Sequence, residues 1–360
     1  MPSLESRIIR GLNPDLSADD CALIEHGGEP YLYTTDSLAQ DTHFRLDWSS
    51  PEDIAFKLLH VNLSDLWAAG GMPEFCLLNL GLPEPADEAL IQRFSSCFRH
   101  LLREHRIALV GGDTFRSIGY LFSLTLFGPA LQPRFRRAQP GDGLFLSGHV
   151  GLSQLGYKLL ESGGRPRDLQ YPDDLKATNE ISTESASPGA AEPADYDSST
   201  GSATRNPPLG SPTGRPIDIS RQLQSRNWQH LAIARHLRPR ANLEAARQLN
   251  ALQAQHFPVS GAMDLSDGIF ADCNRFAESS GLSLRVELER LSMVPAVLEK
   301  GPVFAAGSGE ELELLVASPE PLPEGFVRIG TFDSPSPTPA AIFYLNQKPV
   351  KPALAFEHFQ

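Results

Sequence analysis

Short apolar stretches rich in β-branched and aromatic residues recur at 31–35, 75–82, 107–110, 120–127, 144–147, 312–317, 326–330 and 341–345, and helix-length patterns separate them. This alternation constrains the fold most, because strands interleaved with helices imply sheets covered by helices, an α/β (mixed α+β) class. The clearest helix is 51–70: Ser50 can cap it, Pro51 suits its first turn, and Ile54, Leu58, Val61 and Leu66 keep helical spacing. Further helices are expected near 86–104, 152–161, 242–255 and 267–280.

The alternation breaks once. Residues 172–216 hold seven Pro, four Gly, seven Ser and five Thr, with only Leu175, Ile181, Tyr196 and Leu209 as large apolar side chains. Such a stretch cannot bury enough surface to offset its chain entropy, so a disordered insertion is expected over about 165–227, with helix resuming near Trp228. The 360 residues, 41% of them apolar, suit two domains. The expected division is an N-terminal α/β domain at 1–138, a C-terminal α/β domain at 139–346 that carries the insertion, and a tail at 347–360.

A formal charge of −13 argues against a nucleic-acid partner. Neither a long apolar run nor a signal-peptide pattern is present, so a cytoplasmic protein without a membrane partner is expected. Cys21, Cys76, Cys97 and Cys273 are too widely spaced for a metal knuckle and read as reduced, mostly buried thiols. Residues 151–158 approach a phosphate-binding loop, but Tyr157 separates Gly156 from Lys158; residues 264–268 approach a calcium loop, but the glycine is one place early and Arg275 stands where a glutamate is needed.

What remains is a set of aspartates read as lying at the ends of apolar segments: Asp20, Asp36, Asp113, Asp264 and Asp267. A sixth, Asp65, lies inside the 51–70 helix and shares a face with Asn62, three residues before it. Each alone is more often a cap or turn residue. Converging in one cleft, they would repel one another unless hard divalent cations neutralised them, and such oxygen-only ligands suit Mg²⁺ with nucleotide phosphates. The joint reading is metal-assisted phosphoryl chemistry.

The motifs DDCALI (19–24), TTDSL (34–38) followed by His43 and Phe44, VNLSDL (61–66), GGDT (111–114), PGD (140–142), DLSDG (264–268) and GEELELL (309–315) resemble, in order and approximate spacing, those of the thiamine-monophosphate kinase family. That family belongs with the aminoimidazole ribonucleotide synthetase-like (PurM-like) ATP-binding proteins. The resemblance implies two α/β domains and a homodimer whose N-terminal strands form a shared barrel. It implies ATP-dependent phosphorylation of thiamine monophosphate to thiamine diphosphate, with several Mg²⁺ ions. By motif, the metal ligands are Asp20, Thr34, Thr35, Asp36, Asp65, Asp113, Asp264 and Asp267; Gly112, Asp113, Arg136 and Ser266 meet ATP; His43, Glu310 and Phe356 surround the substrate. No general base is implied, because the attacking phosphate oxygen is already ionised.

Four positions depart from the family pattern. Ala18 replaces a glycine, Phe135 a basic residue, Leu152 an aspartate and Leu312 an aromatic residue. Two other readings are thereby kept: another ATP-using synthetase of the superfamily, which the short stretch before Asp20 disfavours, and a degenerate nucleotide-binding or metal-binding paralogue without turnover.

Overall fold

The structure, a computed structural model, describes residues 7–8, 11–13, 19–164 and 228–352. The expected insertion at 165–227 and Phe356 lie outside the described residues. Two sheets form. The first contains β1 (Ala22–His26), β2 (Glu29–Ala39), β3 (Phe75–Leu82), β4 (Ala108–Arg116) and β5 (Leu121–Pro129), in the order β1-β2-β5-β3-β4. All its neighbours are antiparallel except β3 and β4, which the helix α2 (Glu88–His105) joins as a crossover. Gly112 permits that pairing, since a Cβ there would stand 1.8 Å from the Leu78 carbonyl oxygen.

The second sheet has the order β12-β11-β8-β10-β6-β9-β7. Its strands are β6 (Gly143–Ser147), β7 (Gly261–Asp264), β8 (Leu282–Glu287), β9 (Leu314–Ser318), β10 (Phe326–Pro335), β11 (Ala341–Leu345) and β12 (Lys348–Val350). The helices α3 (Leu152–Glu161), α4 (Trp228–Leu237), α5 (Leu243–Ala254) and α6 (Ile269–Ser280) accompany it. All the helices expected from periodicity are present, and so are the eight strands; β1, β7, β8 and β12 were not anticipated.

Between the sheets lies α1 (Pro51–Ala68). Ser50 caps it as expected: its hydroxyl accepts from the Asp53 N–H at 3.2 Å, while the Asp53 carboxylate accepts from the Ser50 N–H at 2.8 Å. Every residue of this helix except Val61 and Asp65 is buried. A helix so enclosed must give its polar groups partners, and these come from both halves. Asp53 pairs with the buried Arg238, the His60 ring nitrogen Nδ1 accepts from the Ala241 N–H at 3.3 Å, and Asn62 reaches β2. The apolar residues of α1 share one core with α2 and with Phe94, Phe122, Leu124, Leu249 and Leu314. A second core lies under α6, around Phe270, Phe276, Leu284 and Phe332.

Candidate active site

The β-strand alternation aims Thr34 and Asp36 at α1 and Thr35 away from it. On the helix side, the Thr34 hydroxyl donates to Asp65 Oδ2 at 2.8 Å, and the Asp36 N–H donates to Asn62 Oδ1 at 3.1 Å. Asn62 is completed by donating to the Leu58 carbonyl at 2.9 Å. The shared face of Asn62 and Asp65 therefore docks on β2. The Thr35 hydroxyl instead donates to the Leu124 carbonyl and accepts from Thr125 across the sheet, on the opposite face, so its side chain does not join the other ligand candidates.

Asp20, at the entry to β1, Asp65 on α1 and Asp264, the last residue of β7, bring carboxylate oxygens to within 4.8 Å of one another. Both Asp264 oxygens are buried, and among the described residues neither has a partner in good hydrogen-bond geometry, the Ser64 hydroxyl being a neighbour. Burial raises Asp20 to about 6, Asp19 and Asp267 adding to it and Arg136 opposing. Burial, then Asp20, Asp267 and Glu310, push Asp36 up to about 7. Asp65 and Asp264 are lifted well above the carboxylate range, by burial first and then by the other acids of the group. Two arginines lie beside the group: the buried Arg136 is 3.6 Å from Asp19 and 3.7 Å from Asp20, and Arg275 pairs with Asp267 and Asp272.

The expectation that all five motif aspartates sit at segment ends is corrected in two places. Asp36 and Asp113 lie within β2 and β4. A sheet with one open face tolerates polar residues in mid-strand, so a polar residue after an apolar run did not mark its end. Asp113 is exposed on an edge strand, its carboxylate accepting from the Thr114 N–H, and is not among the three that converge. Gly112 stands beside it in β4, and Arg136 is buried against Asp19 and Asp20.

Asp272 escaped the sequence reading. Its Oδ2 accepts from the N–H groups of Ser266, Asp267 and Gly268 at 3.0, 2.8 and 3.0 Å, which holds the β7–α6 loop in shape. Gly268, at φ 97°, lets the chain turn there into α6. An aspartate in the first turn of a helix, four residues after a turn glycine, was the available signal. Glu310 is tied to the same loop, its N–H donating to the Ser266 carbonyl at 2.6 Å. His43 Nδ1 accepts from the Ala39 N–H at 3.0 Å, which places the proton of the neutral ring on Nε2.

The GEELELL segment supplies two more buried acids. Glu311 Oε1 accepts from the Gly151 and Ser153 N–H groups at the start of α3, at 2.7 and 3.1 Å. Arg235 pairs with Glu311 and Glu313, and Asn242 donates to Glu313 at 2.6 Å. Leu312 is fully buried in the first core, its N–H bonded to the Leu265 carbonyl and its own carbonyl accepting from Asn242.

A family model described as "AIR synthase related protein, N-terminal domain" matches residues 18–130. The chain is 35% identical over 367 residues to the thiamine-monophosphate kinase of Leptospira interrogans, covering 99% of this chain and 97% of that one. To the enzyme of the same name from Aquifex aeolicus it is 26% identical, covering 88% and 83%. Its fold is like that of a solved structure described as AaThiL complexed with AMPPCP and TMP, with a TM-score of 0.70, 23% identity, and coverage of 100% and 99%.

Proposed function

Because the chain belongs to the thiamine-monophosphate kinase family, we infer that it is an enzyme that phosphorylates thiamine monophosphate with ATP, giving thiamine diphosphate and ADP. The observation that carries this reading is the convergence of Asp20, Asp65 and Asp264 in a chain that aligns with a named kinase over its whole length. The nucleophile is an ionised phosphate oxygen, so the site needs positioning and charge compensation rather than a strong base.

The acids fit Mg²⁺. Their donors are all oxygens, and among the described residues the two Asp264 oxygens have no partner in the geometry a buried carboxylate requires. Asp20, Asp65 and Asp264 are assigned as its main holders, with Asp36, Asp267 and Thr34 beside them. When bound, Mg²⁺ neutralises phosphate oxygens and holds donor and acceptor in line. The chain's own residues do the rest. Thr34 fixes the Asp65 carboxylate, Asn62 fixes β2 at Asp36, and Asp272 fixes the loop that carries Ser266 and Asp267. Arg136 limits the repulsion at Asp20. Gly112, Asp113, Arg136 and Ser266 are assigned to ATP, and His43 and Glu310 to thiamine monophosphate. The backbone of Leu312 is bonded and its side chain packs in the core, so the fold accommodates this departure from the family pattern.

The assembly proposed is a homodimer paired through the edges of the first sheet. β1 and β4 are exposed along their whole lengths and present Leu23, Ile24, Leu109, Val110 and Phe115, apolar edges that call for a covering partner. The proposed domains remain 1–138 and 139–346, a boundary supported by the break between β5 and β6; β12 carries the second sheet on to Val350, within the segment expected as the tail 347–360. A cytoplasmic location is supported by four free, buried cysteines. Among the described residues, no helix is long and apolar enough to cross a membrane.

The test is product analysis with Mg²⁺-ATP and, separately, thiamine monophosphate, thiamine or an aminoimidazole-pathway substrate. Equal amounts of ADP and thiamine diphosphate from the monophosphate alone are expected. ADP without thiamine diphosphate, or product from another acceptor only, refutes the reading.

A further inference from the structure

Of the ionised groups of α1, Asp53 pairs with Arg238, Glu52 pairs with Arg93, and Lys57 faces the loops beside the acidic centre. Lys57 stands eight residues before Asp65, about 12 Å along the helix axis. Its ammonium is buried, lies 2.5 Å from Glu310 Oε1, and donates to the His43 carbonyl at 2.7 Å. It thereby joins the segment after β2 to the loop before β9. A buried ammonium stripped of such partners is strongly destabilising, so these contacts are obligatory for the fold around it.

Glu310 is constrained from a second side. Its backbone lies at φ 55°, and its N–H is bonded to Ser266. A left-handed conformation at a residue other than glycine persists where the surroundings over-determine it, and here they aim one carboxylate. Beside that carboxylate is one ring, His236, which continues into a small aromatic cluster. His236 Nδ1 is 3.9 Å from Glu310 Oε2, and the His236 ring lies 5.5 Å from Tyr157 and 6.4 Å from Trp48, centroid to centroid. A carboxylate held in place beside an imidazole ring suits a ligand group that is both heteroaromatic and polar or cationic.

We propose that Lys57 is a positioning residue for thiamine monophosphate: it aims Glu310 and the His43 segment, and fixes their distance from the carboxylates on the same helix. The substrate's ring system is registered about two helical turns before the carboxylates that hold its phosphate. This rests on the kinase reading above.

The experiment assays full-length Lys57→Met and Lys57→Arg, varying thiamine monophosphate and Mg²⁺-ATP in turn. For Lys57→Met the KM for thiamine monophosphate is expected to rise about tenfold or more, with the KM for ATP within about twofold. Lys57→Arg keeps the charge but cannot place a planar fork as the ammonium sits, and is expected to fold and to raise the same KM by about threefold. Adding Glu310→Gln to Lys57→Met is expected to cause no further rise, as for groups that act as a unit. A KM for thiamine monophosphate that stays at the wild-type value in either variant overturns the proposal. So does a fall in kcat with a parallel rise in both KM values that tracks thermal stability. If Lys57→Met does not fold, Lys57→Arg decides. Wild-type protein that makes no thiamine diphosphate in the same assay sinks the kinase reading instead.

Discussion

Asp36→Asn removes one charge from the acidic centre while keeping the shape of the side chain and the backbone bond to Asn62. In the folded protein Asp36 is raised from 3.8 to about 7, by burial first and then by Asp20, Asp267 and Glu310. At roughly 1.4 kcal/mol per unit, a gap of that size destabilises the metal-free fold by about 4 kcal/mol at pH 8. The neighbouring acids share this repulsion and relax with it, so removing one charge is expected to return about half, ~2 kcal/mol. The sign follows from proton counts. Between the unfolded and folded values the folded state binds more protons, so its stability falls as pH rises from about 4 to about 7 and stays low above that. Chemical denaturation in EDTA should therefore find Asp36→Asn about 2 kcal/mol more stable than wild type at pH 8, with the difference nearly gone at about pH 4. Saturating Mg²⁺ should reverse the order at pH 8, because the cation binds the intact carboxylate set more tightly. A variant no more stable than wild type at pH 8 in EDTA would refute the reasoning, since the acids would then not be straining the metal-free fold.

Asp65→Asn should lower turnover roughly a hundredfold or more by weakening the clamp on the transferred phosphoryl group; unchanged kcat at saturating Mg²⁺ would remove Asp65 from the site. Asp272→Ala should leave three loop N–H groups without their acceptor, costing about 2 kcal/mol or more and lowering kcat, a loss visible in urea titration and absent if the loop holds itself. Arg238→Met should cost about 3–5 kcal/mol by leaving Asp53 buried and unpaired, and a midpoint within error of wild type would show the pair to be solvated.

The legible part of the fold was what local chemistry writes into neighbouring positions. The cap at Ser50, the helical spacing from Ile54 to Leu66 and the apolar runs of β3, β5 and β6 each depend on residues a few places apart, although the reciprocal bond to Asp53 was not read. The acidic motifs were legible as a set, and Asn62 and Asp65 did share one face. What escaped depended on distant partners. Arg238 meets Asp53, Lys57 meets Glu310, and Arg136 meets Asp19, pairings that only the folded chain brings together. Thr35 was grouped with its neighbours by motif, although strand alternation alone separates its hydroxyl from Thr34 and Asp36. β7 was overlooked because four residues, Gly261–Asp264, are too few to show a period.

The burial of α1 also bears on how the molecule can move. The helix packs against β2 and β5 on one side and against β7, α4 and α5 on the other, and its ionic anchors reach Arg238 and Glu310. Parting the two sheets like the covers of a book would uncover an apolar helix and strand Asp53 and Lys57, a cost far above thermal energy. Entry and release of nucleotide and substrate are therefore expected to fall to the loops around the acidic centre, while α1 acts as a fixed spine. Its amides should be among the last in the protein to exchange with solvent.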